Sequence, residues 1–483
     1  MNGSYPQEVV TKNFTSPGVT VVGQSASGVT IADLEAWGSW TTYDNLTINQ
    51  GLVHNCTCSP GNPTNVTLNN VNFRAVNLGG NPYSTVWIQS GTNISWNNSD
   101  FGPAPIGQGQ GEPIEVWATQ GNGTAKNVVI NGLNFHDVYR TPSCDAVSCH
   151  TEVIRVDEGV DGFTVENSTF QDMGSQGPNS SYILLGNNGT SENPATDMLF
   201  ENNFFGNDGA NGVDINGGQC PQLGTIKVSY NTARNSLLWA SGSSGIQSCP
   251  AGFTAVGNLN WQGSCYGTHD HNIWFASTGT CGSDQKLPQP PYGFVPDGWH
   301  LAPGSPAIHA GSPTYCPPKD HDLRPRPEPP GTTCDAGANE APDPICDASQ
   351  LKARILRSAK SGASNRILTV ALNNIRAACQ MEGYAGLRLQ IGKRPVPTRV
   401  RHGISSHEQR PSTVGLSPGA RATFLIVYST IAARGRDQCT RATRLGVRPP
   451  GQGRWLEIHV SLTVCDRGTL LESPVIAGVR PRP

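Results

Sequence analysis

Charge is scarce in this chain: Asp, Glu, Lys and Arg together make 14% of 483 residues, against about a quarter in ordinary globular proteins. Disordered chains stay open through charge and low hydrophobicity, and here 36% of the residues are apolar. Long apolar runs are missing too. The strongest short one, Phe424-Leu425-Ile426-Val427-Tyr428, has strand length and falls far short of the ~18–20 residues that cross a bilayer. No transmembrane segment is expected. Met1 leads straight into Asn-Gly-Ser-Tyr-Pro, without the basic start and apolar core of a signal peptide. Fourteen cysteines nevertheless point to an oxidising compartment. An extracellular or cell-surface location is therefore expected, with the leader not visible in this chain.

What is abundant is Asn, Gly, Ser and Thr, arranged in a repeated phrase. Asn65-Val-Thr-Leu-Asn-Asn-Val-Asn-Phe73 recurs from Asn93 to Phe101, from Asn127 to Phe135, from Gly162 to Phe170 and from Asp197 to Phe205. A weaker copy starts at Thr225 and shorter ones at Gly28 and Asn45; successive starts lie 17, 20, 28, 34, 35, 35 and 28 residues apart. A fixed phrase with variable insertions indicates a solenoid. Apolar residues alternate within it, which makes strands, and the Asn-Asn or Asn-Gly step makes a tight turn. Further strands follow at Thr85–Gln89, Ile114–Ala118, Val153–Asp157, Tyr182–Gly186 and Gly212–Asn216. Stacked coils of this kind describe a parallel β-helix, with Asn in left-handed corners and in amide ladders along the axis.

The phrase resembles that of right-handed parallel β-helix proteins, over roughly residues 20–280; the handedness is implied by the resemblance. Leu301-Ala-Pro-Gly-Ser-Pro-Ala-Ile-His-Ala-Gly311, Asp320, Arg324-Pro-Arg-Pro327 and Cys334-Asp-Ala-Gly-Ala-Asn-Glu340 resemble the closing motif of secreted bacterial β-helix proteins of the choice-of-anchor type. His309 stands where that motif has Asp, and Ala336 and Asn339 where it has Ile and Tyr, so the resemblance implies a cap rather than a binding role. After it, Arg366–Asn373, Gly386–Ile391, Ala420–Ser429, Thr443–Arg448 and Trp455–Thr463 read as short strands between Pro-Gly turns, a β-sandwich pattern. Cys379-Gln-Met-Glu-Gly-Tyr-Ala-Gly386, Leu416-Ser-Pro-Gly-Ala, Cys439 and Cys465-Asp-Arg-Gly-Thr-Leu470 resemble an immunoglobulin-like domain of unknown function found on secreted bacterial proteins. The four cysteines of 346–479 fit two disulfides, with three connectivities open. The expected fold is all-β: a right-handed parallel β-helix solenoid over 1–300, a closing segment over 301–341, a linker over 342–347 and a small immunoglobulin-like β-sandwich over 348–483.

The two parts differ in charge. Residues 1–343 hold 11 basic and 29 acidic side chains, a net of −18, whereas residues 344–483 hold 22 and 7, a net of +15, with 19 of the basic ones Arg. The arginines are dispersed and no nucleic-acid motif is present. Attachment to an anionic cell envelope, or to the acidic solenoid itself, is the expectation, against a plain effect of composition.

Aligning the later strands by their inward pairs (Val86/Ile88, Ile114/Val116, Ile154/Val156, Ile183/Leu185, Val213/Ile215) fixes the outward columns, because side chains alternate. One column reads Trp87, Glu115, Arg155, Leu184, Asp214; its neighbour reads Gln89, Trp117, Asp157, Gly186, Asn216. Aromatic faces flanked by carboxylates suit a sugar, whose C–H patches stack on rings while its hydroxyls find acceptors. Trp87, Trp117, Glu115, Arg155, Asp157 and Asp214 are thus the candidate polysaccharide-binding residues. Were the face catalytic, as a lyase or glycoside hydrolase, Asp157, Asp214 and Glu115 are the candidates. Glu115 and Asp214 would lie three coils apart, roughly 14 Å, beyond the ~6.5–9.5 Å of an inverting pair. The polygalacturonase motifs Asn-Thr-Asp, Asp-Asp, Gly-His-Gly and Arg-Ile-Lys do not occur. Lyases of this fold use Ca²⁺ or a basic residue, which singles out Lys227 and Arg234 as bases and Glu152, Asp157 and Glu158 as Ca²⁺ ligands. The bland alternatives are a surface ion pair between Glu115 and Arg155 and solvated charges elsewhere.

His269-Asp-His271 places two imidazoles on one side of an extended segment and, with His300 or His309, would make a metal site. Cys265 and Cys281 bracket that loop and favour a disulfide instead. Cys144 and Cys149 would close a small loop, while Cys56 and Cys58 are too near for a relaxed mutual bridge. Asn-X-Ser/Thr at Asn45, Asn65, Asn93 and Asn167 follows from composition alone. Three readings stand: glycan engagement, polysaccharide cleavage on the same face, and a non-catalytic structural surface module.

Overall fold

The computed structural model describes residues 3–11, 18–25, 28–49, 51–53, 62–74, 86–106, 113–118, 124–140, 152–157, 159–171, 181–186, 195–206, 211–215, 224–237, 239–241, 252–262, 265, 267–275, 281–287, 300–302, 305–328, 332–341, 344–376, 378–404, 411–432 and 439–478. The chain divides into two units, residues 1–325 with 334–340, and residues 326–333 with 341–483.

The first unit is a parallel β-helix in which 27 of the described strands join one sheet, with Ala104–Ile106 and Val138–Arg140 paired in parallel beside it. Each phrase pairs in parallel with the next. Ala125–Asn131 lies between Gly91–Asn97 and Val160–Glu166, with Ile130 opposite Trp96 on one side and Val165 on the other. Alternate residues turn inward and are fully buried, as Val128 and Ile130 are. A short strand follows each turn and brings a ring to the same inner position. Phe73, Phe101, Phe135, Phe170 and Phe205 form a column with centroids 4.3, 5.3, 4.5 and 5.1 Å apart.

The asparagines do what the repeat predicts of them. At the corner that opens the phrase, Asn45, Asn65, Asn93, Asn127 and Asp197 all have φ between 51° and 58°. Left-handed backbone is disfavoured by about 1–2 kcal/mol for residues with a Cβ, and Asn tolerates it best. Their amides stack: Asn93 donates to Asn65 at 2.9 Å and Asn127 to Asn93 at 3.0 Å. At the second corner Asn70, Asn98, Asn167 and Asn202 repeat the conformation, and Tyr230 adopts it at 53°. Tyrosine is a poor residue for that region. Its hydroxyl donates to the Tyr315 carbonyl at 2.6 Å, and the next coil has Gly257 beneath it, where a Cβ would come within 2.6 Å of the Tyr230 ring.

A buried ladder runs one residue after that corner. Asn203, Asn231, Asn258 and Asn272 have no solvent exposure. The side-chain oxygen of each accepts the backbone N–H of the equivalent residue one coil earlier, at 2.9–3.0 Å. Asp284 ends the series: its Oδ1 accepts from the backbone N–H and the Nδ2 of Asn272, both at 2.9 Å.

Residues 305–325 and 334–340 form a strap laid lengthwise on the second corner. Asn202 donates to the Lys319 carbonyl (2.8 Å), Gly337 N–H to the Gly257 carbonyl (2.7 Å), and Ala338 N–H to Thr232 Oγ1 (2.8 Å). Cys316–Cys334 closes the strap on itself. The carboxylates of its motif are spent internally. Asp320 accepts the N–H groups of Arg324 (2.8 Å) and Glu340 (3.0 Å), and Glu340 accepts that of Asp335 (3.0 Å).

The second unit has one six-stranded sheet, built on Leu351–Ser361, Asn365–Asn374, Arg421–Ser429, Thr469–Glu472 and Arg399–His402, and a four-stranded one centred on Gly386–Ile391, Thr440–Arg448 and Leu456–Val464. Val370, Phe424 and Ile426 of the first share one apolar core with Leu389, Leu445 and Val447 of the second. Of the three connectivities, this unit uses Cys346–Cys379 and Cys439–Cys465. The strand Leu351–Ser361 was not expected: it is an edge strand whose inner face, Ala353 and Ile355, is only partly buried, and a bulge between Ile355 and Arg357 breaks its alternation.

Candidate functional site

The later strands of the coils are Gly51–Val53, Val86–Ile88, Ile114–Val116, Glu152–Val156, Ser181–Leu185 and Asn211–Ile215. Their register puts Trp87 opposite Glu115, Glu115 opposite Arg155, Arg155 opposite Leu184, and Leu184 opposite Asp214. The adjoining positions continue the ladder, since Trp117 donates its backbone N–H to Ile88, Asp157 to Val116 and Gly186 to Val156. Asn216 lies outside the described residues.

Within these columns the side chains differ in what they offer. Trp87, Glu115, Trp117, Arg155, Leu184 and Asp214 are half-buried. Among the described residues neither indole N–H, of Trp87 or of Trp117, has a hydrogen-bond acceptor, although both are shielded from water. Such a donor costs about 1–3 kcal/mol. Asp157 is withdrawn from solvent: it is 2% exposed, and its Oδ2 lies 2.8 Å from Arg155 Nε. Burial raises the Asp214 carboxyl above the ordinary aspartate value, offset in part by hydrogen bonds from Asn211 and from the backbone of Ile215. Glu115 and Asp214 are three register steps apart, about 14 Å at sheet spacing.

The other candidates are dispersed. Glu152 and Asp157 stand at opposite ends of one strand, five residues or about 16 Å apart along it, and do not converge on a cation; Glu158 lies outside the described residues. Arg234 is exposed. Lys227 is half-buried, with its Nζ 2.9 Å from the Tyr315 ring centroid. Burial lowers its pKa, countered by the charge of Glu201. Around it, Glu201 accepts from Ser229 Oγ (2.8 Å) and from the Tyr315 hydroxyl. Burial and the neighbouring Glu201 push Glu166 up, and burial and Glu201 push the Tyr315 phenol up. This cluster fastens the strap to the coils.

The four histidines of the suggested metal site go to four separate carboxylates. His269 Nδ1 lies 3.0 Å from Asp284, His271 Nδ1 2.5 Å from Asp270, His300 Nε2 2.6 Å from Asp322 and His309 Nδ1 3.8 Å from Asp335. Ligand atoms of His269, Cys281 and Asp284 do approach within 4.8 Å of one another. The Cys281 sulfur is bonded to Cys265, however, and a disulfide sulfur is no thiolate ligand. Cys56, Cys58, Cys144 and Cys149 lie outside the described residues.

A group that sequence reasoning passed over is the clasp of His136. Its Nε2 lies 3.1 Å from Asp100 and its Nδ1 2.8 Å from Asp137, while Arg74 reaches Asp100 at 2.5 Å. Partial burial alone would lower the imidazole; hydrogen bonds to Asp137 and Asp100 outweigh it and hold its pKa above the ordinary value. Partial burial alone would raise Asp100; His136, Asn134 and Arg74 together hold it below. The only sequence signal was position, since Asn72, Asp100 and Asn134 precede Phe in successive phrases.

The molecule is thus a parallel β-helix solenoid followed by a β unit of two main sheets and a two-stranded ribbon, Cys379–Met381 with Val414–Leu416. A family model described as a domain of unknown function (DUF4232) matches residues 346–475, inside the second unit. No curated protein matches the chain. Among solved structures, the tailspike protein gp49 from Acinetobacter baumannii bacteriophage Fri1, a capsular polysaccharide depolymerase, aligns over 96% of this chain and 80% of its own, at 9% identity and a TM-score of 0.24.

Proposed function

We propose that the protein works outside the cytoplasm and engages polysaccharide through the outward face of the later strands, with Trp87, Trp117, Glu115, Arg155 and Asp214 making the contacts. The observation that carries this reading is the column itself: two tryptophans on neighbouring coils, half-buried, with Glu115 beside Trp87 and an acidic side chain three coils on. Rings and acceptors at ~4.8 Å intervals match a long ligand lying along the axis better than a compact one. Binding is favoured over turnover, because Asp157, the carboxylate of the columns nearest Glu115, lies 2.8 Å from Arg155 Nε, and Glu115 and Asp214 stand about 14 Å apart, beyond the ~6.5–9.5 Å of an inverting pair. The disulfides Cys265–Cys281, Cys316–Cys334, Cys346–Cys379 and Cys439–Cys465 support an extracytoplasmic setting. Two sheets around one core support an immunoglobulin-like reading of the second unit.

The test is a panel of plant, algal and bacterial polysaccharides, assayed for binding and for new reducing ends with and without Ca²⁺. Retention of one polymer by the native protein, lost in Trp87→Ala/Trp117→Ala and without new ends, is the expected result. New reducing ends abolished by Asp214→Ala would make the face catalytic instead. Binding that survives the tryptophan pair would show that the face is misassigned.

A further inference from the structure

The second unit holds a cleft of about 440 Å³ on the six-stranded sheet, lined by Arg399, Arg401 and Arg467, within the ~300–1,000 Å³ of small-molecule sites. Its position follows from an exception in the topology. Arg399–His402 pairs in parallel with Thr469–Glu472, at the edge of a sheet that is otherwise antiparallel. Val400 packs against the core, so its neighbours Arg399 and Arg401 share the opposite, outer face. Arg467 joins them from a turn in which Asp466, Arg467 and Gly468 are all left-handed, held by the Gly468 carbonyl accepting the Arg399 N–H at 3.0 Å. One carboxylate, Asp466, stands among the three guanidinium groups.

Other arginines of this unit are already engaged. Arg388 and Arg444 meet Glu457 at 3.6 and 2.5 Å, and Arg388 and Arg448 stack on Trp455 at 4.3 and 5.1 Å. Among the described residues Arg399 and Arg401 make no ion pair, and both are exposed. The lining also includes an apolar pair, Val427 opposite Leu471, the exposed Asn365, and Ser429 and Thr469, whose hydroxyls donate to the Ile431 and Asp466 carbonyls and keep lone pairs to accept with.

We infer that this cleft is a binding site for an acidic sugar unit, its carboxylate held by Arg399 and Arg401, its C–H face on Val427 and Leu471, and its hydroxyls on Asn365, Ser429 and Thr469. A planar guanidinium matches a carboxylate fork, and an apolar pair with amide and hydroxyl neighbours is what a pyranose ring needs. Single-stranded nucleic acid fits less well: the aromatic ring of the cleft, Tyr428, is only 5% exposed and offers no stacking platform. The site is independent of the solenoid face and of the reading given to it.

The experiment uses the full chain in the Trp87→Ala/Trp117→Ala background, so that the solenoid face does not contribute. Oligogalacturonate is titrated calorimetrically, with the matched neutral oligogalactoside and inorganic phosphate as comparison probes. Oligogalacturonate is expected to bind, with affinity reduced roughly tenfold or more in Arg399→Ala/Arg401→Ala and also reduced in Arg399→Lys/Arg401→Lys, which keeps charge and fold but loses the fork. Arg441→Ala, an exposed arginine on the other sheet, should leave it unchanged. The assignment is overturned if oligogalacturonate does not bind the folded chain, if the neutral oligomer binds equally, or if Arg441→Ala costs as much as the cleft variants. Displacement by phosphate as readily as by monomeric galacturonate would likewise overturn it, since charge alone would then be recognised.

Discussion

Arg155 and Asp157 sit two residues apart on one strand and fold toward each other, Nε to Oδ2 at 2.8 Å, with side chains 15% and 3% exposed. The outward column thereby keeps Glu115 and Asp214 as its accessible acids, while a third carboxylate is withdrawn from it. Removing one partner strands a buried charge at a cost of about 3–5 kcal/mol, whereas removing both does not. In urea unfolding, Arg155→Ala and Asp157→Ala should each be strongly destabilising, and the double variant should lose about 1–3 kcal/mol less than their sum. Simple additivity would show that the pair is not coupled.

Asn231→Ala removes an acceptor that the Asn203 N–H has no way to replace inside the coil. It also removes donors to the Phe200 and Ser229 carbonyls. A loss of about 2–4 kcal/mol is expected, measured on the chain from the urea midpoint. Asn231→Asp keeps the acceptor and should cost more than a surface change but destroy the donors, so faster exchange of the amides of this coil is the signature to look for.

The corner residues offer a separation of backbone from side chain. Asn93 is exposed, at φ 56°, and is both donor and acceptor in its ladder. Asn93→Gly keeps the left-handed corner and loses the ladder; Asn93→Ala loses both. The alanine variant should therefore be the less stable by about 1 kcal/mol, a difference readable as a shift in thermal midpoint.

The His136 clasp predicts a pH window. A histidine whose pKa is raised on folding contributes stability that is fully present below its unfolded value, near 6.5, and is lost as pH rises through the folded value. Asp100, lowered on folding, contributes above its unfolded value, near 3.9, and loses that contribution as pH falls through the folded one. The clasp is then strongest between about pH 4 and 6.5. Comparing His136→Gln with the parent, the stability difference should shrink as pH rises from 6 to 8; a difference constant over that range would rule the clasp out as a titrating element.

Much of the solenoid could be read from the repeats because one coil's inward pair, such as Ile154 and Val156, fixes the columns of its neighbours. Burial was harder to read. Period two puts Asp157 on the same face as Arg155, and the pattern gives no sign that it is 2% exposed there with Arg155 Nε 2.8 Å away. The buried Asn203, Asn231, Asn258 and Asn272 look like turn residues in sequence, although Asn203 and Asn231 share the seventh position of their phrases. The closing motif was legible but its course was not: where Lys319, His321 and Gly337 land depends on coils more than 70 residues away. Clefts made by four separate strands and a turn, like that of Arg399, Arg401 and Arg467, leave no local trace at all.

The inner asparagine ladder has a direction. Every backbone N–H in it is satisfied by the coil that comes next, whereas the side-chain amides donate back to carbonyls of the coil before. A coil is thus an incomplete template until its successor arrives, and the series stops at a residue whose own N–H finds an acceptor in its own turn, as that of Asp284 does at the Cys281 carbonyl (2.9 Å). Asn272 and Trp274 both donate to the Asp284 carboxylate. The two ends of the ladder are consequently not equivalent to truncation: cutting at the Asp284 end strips acceptors from backbone N–H groups of the coils that remain, while cutting at the opposite end spares those and removes only a carbonyl that takes a side-chain amide.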